Sequence, residues 1–274
     1  MAADRASVLP EFEHPPVNET VLSLQFTPIP KFGIPHFGLY WATVRAEFPQ
    51  FQVHPALPSV TEQLGEPLPR QARLGIQLVG EPDARCWFLD RSGNRLLQVQ
   101  KDRFIHNWRQ VSGDEEYPRY PSVRSTLETQ WGRFCEFLRS EGLEAPHVNQ
   151  CEVTYVNHIE YGKGWHGYGE LSKVISGWSG ATSGDFLPAP ERANMEVHYR
   201  LPNDLGRLHV SMEPVFRGRD YKEVLQLTLT ARGAPKSSAL ADILNWLDLG
   251  REWVVKGFTD LTTKSMHVIW GRKS

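Results

Sequence analysis

The sequence has little of what marks secreted or membrane proteins. Its 274 residues include only three cysteines, an odd number without the spacing of a disulfide framework, which predicts buried thiols in a reducing compartment. No run approaches the roughly 18 uncharged apolar residues that cross a bilayer, and the first residues lack the order of a signal peptide. We therefore expect a cytoplasmic protein that does not interact with a membrane.

Motifs of the common enzyme classes are also missing. The chain has no G-x-S-x-G or phosphate-loop pattern, and its ten histidines form no H-E-x-x-H or Cys/His pair, so no metal site is predicted. A G-x-G-x-x-G pattern occurs at 162–167, but the strand before it, 151–159, alternates polar and apolar residues. The first strand of a dinucleotide-binding fold is a continuous apolar run. No cofactor is predicted.

Excess charge of either sign is absent, since the net charge is −2. The protein as a whole lacks the basic character that dominates affinity in most nucleic-acid binders, although a local basic face is compatible with this balance. Hydrophobic residues make up 40% of the chain, enough for a large core.

The hydrophobic periodicity predicts an antiparallel α+β protein in which helices flank the sheets. Each half of the sequence has the order β-α-β-β-β-α. In the first half we expect strands from Val21 and at 74–78, 86–88 and 97–108, with helices over 37–48 and 123–138. In the second half we expect strands at 151–159, 195–201, 208–212 and 225–229, helices over 171–178 and from about Ser238, and a short docking helix within 261–270.

This order suggests a flexible lead-in over 1–17, a first α+β half over 18–146 and a second over 147–274. The halves form either a pseudo-twofold pair or one continuous antiparallel sheet with a helical layer.

The segment 98–109 combines amides, basic groups and aromatics on one predicted strand. Such a surface is suited to a peptide edge, a base or a phosphate. The structural alternative is that arginine and glutamine stems cover aromatic packing, with ion pairs to Asp102, Asp114 or Glu115. The candidate binding residues in this half are Gln98, Gln100, Arg103, Asn107, Trp108, Arg109, Arg119 and Tyr120.

In the second half, Asn157 and His158 lie at the end of a strand, and a histidine beside an amide is suited to proton transfer. The glycine-rich segment 160–194 is either a functional loop or a connection whose aromatics pack on the sheet. It adds Trp165 and His166 as candidates, and the C-terminal docking helix adds Trp270.

Four separated motifs resemble those of a sporadically distributed bacterial family of hypothetical proteins of similar length. They are L-x-Q-x-Q-x-D-R-F-x-x-N-W-R at 96–109, Y-P-R-Y at 117–120, C-E-V-T-Y-V-N-H-I at 151–159 and L-T-T-x-x-M-H-x-x-W-G-R at 261–272. The family has no assigned activity. Its scattered occurrence resembles that of defence-associated genes, including toxin-neutralising partners.

Three functions are compatible with these observations. The favoured one is a non-catalytic protein-binding module, such as an antitoxin, immunity or defence-complex subunit, because Trp, Tyr and Arg are abundant and catalytic motifs are missing. The alternative is binding of single-stranded nucleic acid or a nucleotide by the segment from Arg103 to Arg119. The second alternative is an enzyme of unknown class that uses His158 or His166.

Overall fold

The computed structural model describes residues 9–64, 84–179 and 186–273. Within them, nine strands form one antiparallel sheet in the order β2-β3-β4-β5-β1-β6-β9-β8-β7. The strands are β1 (Val17–Phe26), β2 (Gln50–Pro55), β3 (Ala84–Leu89), β4 (Arg95–Gln100), β5 (Arg103–Arg109), β6 (Val148–Glu160), β7 (Met195–Arg200), β8 (Arg207–Phe216) and β9 (Glu223–Gly233).

The two halves meet at the centre of the sheet, where β1 pairs antiparallel with β6. Outward from this pair the order is β1-β5-β4-β3 on one side and β6-β9-β8-β7 on the other, with β2 as an additional edge strand. The halves therefore repeat the same strand order about an approximate twofold axis. The predicted α+β class is confirmed, and the pseudo-twofold pair and the continuous sheet are the same arrangement.

Some predicted elements need correction. The single strand expected over 97–108 is two strands, because the chain turns at Lys101 and Asp102. The side chains that face the helices have odd residue numbers before this turn and even residue numbers after it. The helix expected over 171–178 is a short 3-10 helix, Tyr168–Lys173. Strand β2 was missed because its side chains are exposed or half-buried and show no buried face. The strand expected at 74–78 lies outside the described residues.

The helices lie on one face of the sheet and bury its apolar side chains. They are α1 (Ile34–Val44), α2 (Arg119–Ser140), α3 (Leu240–Leu261) and α4 (Lys264–Ile269). Helix α2 packs on β5 and β1, and α3 packs on β6 and β9. In the described part of the chain, none of these helices has both the length and the apolarity that crossing a bilayer requires.

The strand register decides which side chains face the helices. Leu24 lies opposite Phe104 on β5 and Cys151 on β6, and all three are buried beneath the helical layer. Their neighbours along each strand point to the other face, because side chains alternate with a period of two. That second face therefore collects Gln25, Arg103 and Gln150 in one cross-strand row.

The docking helix α4 begins at a side-chain cap, since the Thr263 hydroxyl accepts a hydrogen bond from the Met266 amide. We expect Thr263→Ala to lower the free energy of unfolding by about 1 kcal/mol, the usual cost of losing such a cap. Urea denaturation followed by tryptophan fluorescence measures this. The control is Thr129→Ala on the exposed side of α2, for which we expect no loss; equal losses in both variants would contradict the role of the cap.

Candidate functional site

The side of the sheet opposite helices α1 to α4, here called the polar face, carries polar and charged side chains from both halves. They are Gln25, Gln98, Gln100, Arg103, Asn107, Gln150, Glu152, His158, Arg207, His209 and Arg232. Most of them are buried. A buried polar group must find hydrogen-bond partners, and part of those partners come from the chain segment that follows β2.

Segment 56–62 crosses the polar face and is recognised through its main chain. Gln100 accepts a hydrogen bond from the Leu57 amide at 3.0 Å and donates one to the Leu57 carbonyl at 3.1 Å. Gln25 does the same with Val60, at 3.0 Å in both directions. Each glutamine thus satisfies both main-chain groups of one residue, as a neighbouring strand would.

The same row of side chains holds two further points of the segment. Arg103 donates to the Pro58 carbonyl at 3.1 Å and to the Gln25 side-chain oxygen at 2.5 Å. Gln150 accepts from the Glu62 amide at 2.9 Å. The row runs over four adjacent strands, β4, β5, β1 and β6, so the segment lies across the strands and not along an edge.

The segment ends in a charge cluster on the second half of the sheet. The Glu62 carboxylate oxygens lie 2.9 Å from a guanidinium nitrogen of Arg207 and 2.7 Å from the Nε2 of His209. A guanidinium nitrogen of Arg232 lies 3.9 Å away. Arg232 also pairs with Glu152 at 3.0 Å. The Arg207 side chain is 9% exposed and that of Glu62 is 7% exposed, so this pair is shielded from solvent.

The pKa of Glu62 reflects this cluster. Burial acts to raise it, but the hydrogen bond from His209 and the positive charges of His209, Arg207 and Arg232 outweigh burial and hold the pKa below that of an ordinary carboxyl. Glu62 is therefore a carboxylate at neutral pH and serves as the counter-ion of two buried or half-buried arginines.

Beyond Glu62 the polar face continues as an open groove of about 570 Å³. Its side chains include His198, which lies 2.8 Å from His209 between their Nδ1 atoms. Burial lowers the pKa of His198, and the neighbouring His209 lowers it further. The other polar residues that line the groove are Asn194, Glu196, Ser211, Glu213, Thr228, Thr230 and Arg232.

The candidates of β4 and β5 divide between the two faces. Gln98 donates to Asn107 at 2.8 Å and accepts from Arg85 at 2.8 Å, and Asn107 donates to Glu19 at 2.7 Å. These four residues lie on the polar face with Gln100 and Arg103. Trp108 points the other way and packs against Tyr117 beneath the helices.

The ion pairs expected from the arginines of this segment to Asp102, Asp114 or Glu115 do not form in the described part of the chain. Asp102 accepts from Gln100, and the Glu115 carboxylate binds main-chain amides of the preceding turn. Arg109 donates to the Gly93 carbonyl at 3.1 Å and lies over the Trp87 ring. Arg103 and Arg109 instead bind main-chain carbonyls, the side-chain amide of Gln25 and the ring of Trp87.

The candidates of the second half do not form a single site. Asn157 donates to the Leu227 carbonyl, and His158 lies beside Gln226 with its Nδ1 buried and unbonded. Burial lowers the pKa of His158. His166 is exposed and lies 3.5 Å from Glu170.

The aromatic candidates of this half are packing residues. Trp165 is buried and donates to the Glu160 carbonyl at 3.0 Å. This supports the structural interpretation of its part of the glycine-rich segment. Trp270 is buried against Phe12 and Phe258.

Arg119 and Tyr120 lie away from the polar face, at the start of α2. Arg119 donates to the Phe12 carbonyl at 2.9 Å, and the Tyr120 hydroxyl donates to Asp248 at 2.8 Å. They line a separate cavity between the N-terminal segment and α3.

Sequence inspection missed Gln25, Gln150, Glu62, Arg207 and His209. Gln25 and Gln150 belong to strands in which polar and apolar residues alternate, so a systematic look at the polar positions of each strand identifies them. Glu62 follows a proline-rich stretch and carries no local signal. Its partners are about 145 residues away.

No protein-family model, no curated protein and no solved structure matches this chain.

Proposed function

We propose that this protein is a non-catalytic binding module that holds an extended segment of another polypeptide across its polar face, and that its own segment 56–62 occupies part of that surface. The ligand lies across β4, β5, β1 and β6 and is held mainly through its main chain. An antitoxin, immunity or defence-complex role is the biological setting that the family resemblance suggests for such a module.

The observation that carries the proposal is the match between the spacing of the strands and the spacing of the bonded main-chain groups. The Leu57 amide binds Gln100 on β4, and the Glu62 amide, five residues later, binds Gln150 on β6, the fourth strand of the row. Three strand intervals of about 4.8 Å cover about 14 Å, close to the length of five extended residues at about 3.3 Å each. A row of amide side chains at this spacing binds an extended chain of many sequences.

Selectivity comes from the charge cluster. Arg207 and Arg232 place positive groups around one carboxylate, which also binds His209, and a buried arginine without a counter-ion is costly. The ligand we propose therefore carries an acidic side chain two residues beyond the position held by Gln25, as Glu62 follows Val60. The open groove at His198 accommodates its continuation.

The geometry favours this function over nucleic-acid binding. An aromatic ring of the polar face that a base would use is that of Trp87, which is half-buried and is covered by His54 at 4.0 Å and by the guanidiniums of Arg85 and Arg109 at 5.4 and 5.5 Å. Enzymatic use of His158 and His166 gains no support, because one lies beside Gln226 and the other is exposed beside Glu170.

The test uses a labelled peptide with the sequence of residues 55–64 and a protein variant in which residues 57–62 are replaced by Gly and Ser. Fluorescence anisotropy measures the Kd. We expect saturable binding to this variant and at least tenfold weaker binding to the wild-type protein, whose own segment occupies the surface. Adding Gln25→Ala to the variant weakens binding about tenfold, since two hydrogen bonds are lost.

The matched control is Gln226→Ala, which removes a glutamine of the same face that does not contact the segment. It leaves the Kd unchanged. A peptide with Gln at the position of Glu62 binds at least tenfold more weakly, because the arginines lose their counter-ion. Equal affinity for wild-type and replaced proteins, no saturable binding, or tighter binding of an oligonucleotide than of the peptide would each overturn the proposal.

A further inference from the structure

A second cavity, of about 470 Å³, lies on the other side of the sheet from the polar face. Its walls are the N-terminal segment from Pro10 to Val17, the start of α2, the end of β6 and one face of α3. The polar groups that line it include two arginines and three tyrosines. These are Arg119, Arg251, Tyr117, Tyr120 and Tyr155.

Arg251 is the unusual member of this set. Its guanidinium lies over the Tyr120 ring at 4.8 Å, and its Nε is buried without a hydrogen-bond partner. Among the described residues no carboxylate pairs with it. Asp248 binds Arg124 and Tyr120, and Glu252 pairs with Lys256. A half-buried guanidinium that lacks a counter-ion costs free energy unless something binds it.

Arg119 adds a second positive charge and is itself in a rare backbone conformation. Its φ is 66°, the left-handed region that non-glycine residues seldom adopt, and such strain is concentrated at functional sites. Its guanidinium bonds the carbonyls of Phe12 and Glu13 and lies 5.7 Å from the Tyr117 ring centroid, with no carboxylate paired to it in the described ranges.

The tyrosines supply donors and not charge. The Tyr117 hydroxyl donates to that of Tyr155 at 2.9 Å. Burial raises the pKa of both phenols, so they stay neutral. At the rim, the exposed Glu11 and Lys273 contribute charges of opposite sign. Arg251 is half-buried in the wall of the cavity, whereas Arg119 is exposed to solvent, and these two arginines supply its positive charge.

The remaining wall is apolar. Val17, Val254 and Phe258 are buried residues that line the cavity. Together with the aromatic faces of the tyrosines they suit a hydrophobic body, while a planar guanidinium suits a carboxylate.

We propose that this cavity binds a small organic carboxylate with an aromatic or branched apolar body, whose anionic end pairs with Arg251 and Arg119. The site is separate from the polar face and depends on none of the residues that hold segment 56–62. The ligand supplies the counter-ion that Arg251 lacks, and the Tyr117 and Tyr155 hydroxyl pair lies beside it as a donor.

The test is isothermal titration calorimetry on the full chain with benzoate and isovalerate as probes and with benzyl alcohol and inorganic phosphate for comparison. We expect at least one of the two carboxylates to bind saturably. Benzyl alcohol, which has the ring without the charge, binds at least tenfold more weakly, and phosphate, which has the charge without the apolar body, does not saturate.

The decisive variant is Arg251→Gln, for which we expect at least a tenfold loss of carboxylate affinity. Its matched control is Arg139→Gln on the exposed side of α2, which leaves affinity unchanged. If Arg251→Gln does not fold, Arg119→Gln takes its place with the same expectation. Failure of both carboxylates to bind, tighter binding of benzyl alcohol or phosphate, or unchanged affinity in the arginine variants would overturn the proposal.

Discussion

Segment 56–62 is expected to detach from the polar face when Glu62 is replaced by glutamine. Glu62→Gln removes the charge that pairs with Arg207 and His209, and hydrogen bonds to charged groups contribute about 1.5–3 kcal/mol each. The amide protons of Leu57 and Val60, which are bound by glutamine side chains, should then exchange about 10- to 100-fold faster. Hydrogen exchange with mass spectrometry measures this.

Acidification should have the same effect in the wild-type protein. The pKa of Glu62 is lower when the segment is bound than when it is free, so the carboxylate stabilises the bound segment at every pH above the ordinary carboxyl pKa. This contribution is lost as the pH falls through the lowered pKa. After correction for intrinsic rates, exchange at Leu57 and Val60 accelerates over that range, and in Glu62→Gln the acceleration is absent.

The control is Glu196→Gln, which removes a carboxylate paired with His198 on the same face but 61% exposed. Even a fully charged exposed pair contributes only about 0–1 kcal/mol, so we expect exchange at Leu57 and Val60 to stay as in the wild type. If Glu62→Gln exchanges no faster than Glu196→Gln, the charge cluster does not hold the segment, and the role assigned to it in ligand binding is wrong.

The largest stability loss is expected at Phe134 in α2. Its side chain is fully buried, and its ring lies 5.2 Å from those of Tyr40 and Phe104 and 5.8 Å from Trp131. Phe134→Ala leaves a cavity at the point where α1, α2 and the sheet meet, which costs about 3–5 kcal/mol. Urea unfolding followed by tryptophan fluorescence measures the change in free energy.

Two variants define the size of that effect. Phe134→Leu keeps most of the volume, so we expect a smaller loss than for alanine. Phe186→Ala changes a residue that is 94% exposed, and surface substitutions usually stay within about 0.5 kcal/mol. A loss below about 1.5 kcal/mol for Phe134→Ala would place the main core elsewhere.

The helices and most strands were predictable because their side chains repeat with a clear period. Helix α2 shows this through Val123, Leu127, Trp131, Phe134 and Leu138, which are all buried as their spacing predicts. The edge strand β2 and the turn between β4 and β5 were not predictable. The first has no buried face, and the second interrupts the alternation for only two residues.

The residues of the polar face were recognised only in part. The sequence predicted four of them as binding residues, because amides and charges are unusual on a strand that is otherwise apolar. They are Gln98, Gln100, Arg103 and Asn107. Their grouping with partners from elsewhere in the chain was beyond sequence inspection, since Gln25 and Arg103 are 78 residues apart and Glu62 and His209 are 147 apart. The tertiary structure also separated Trp108 and Trp270, as core residues, from the binding candidates around them.

The sequence by itself determined an antiparallel α+β protein with an internally repeated order of elements, because the period of the hydrophobic side chains is a local property. Only the tertiary structure decided that the two halves join through β1 and β6 into one sheet, that the polar residues share one face, and that Glu62 meets Arg207 there. Strand order, register and ion pairing depend on contacts between distant residues, and these exist only in the folded chain.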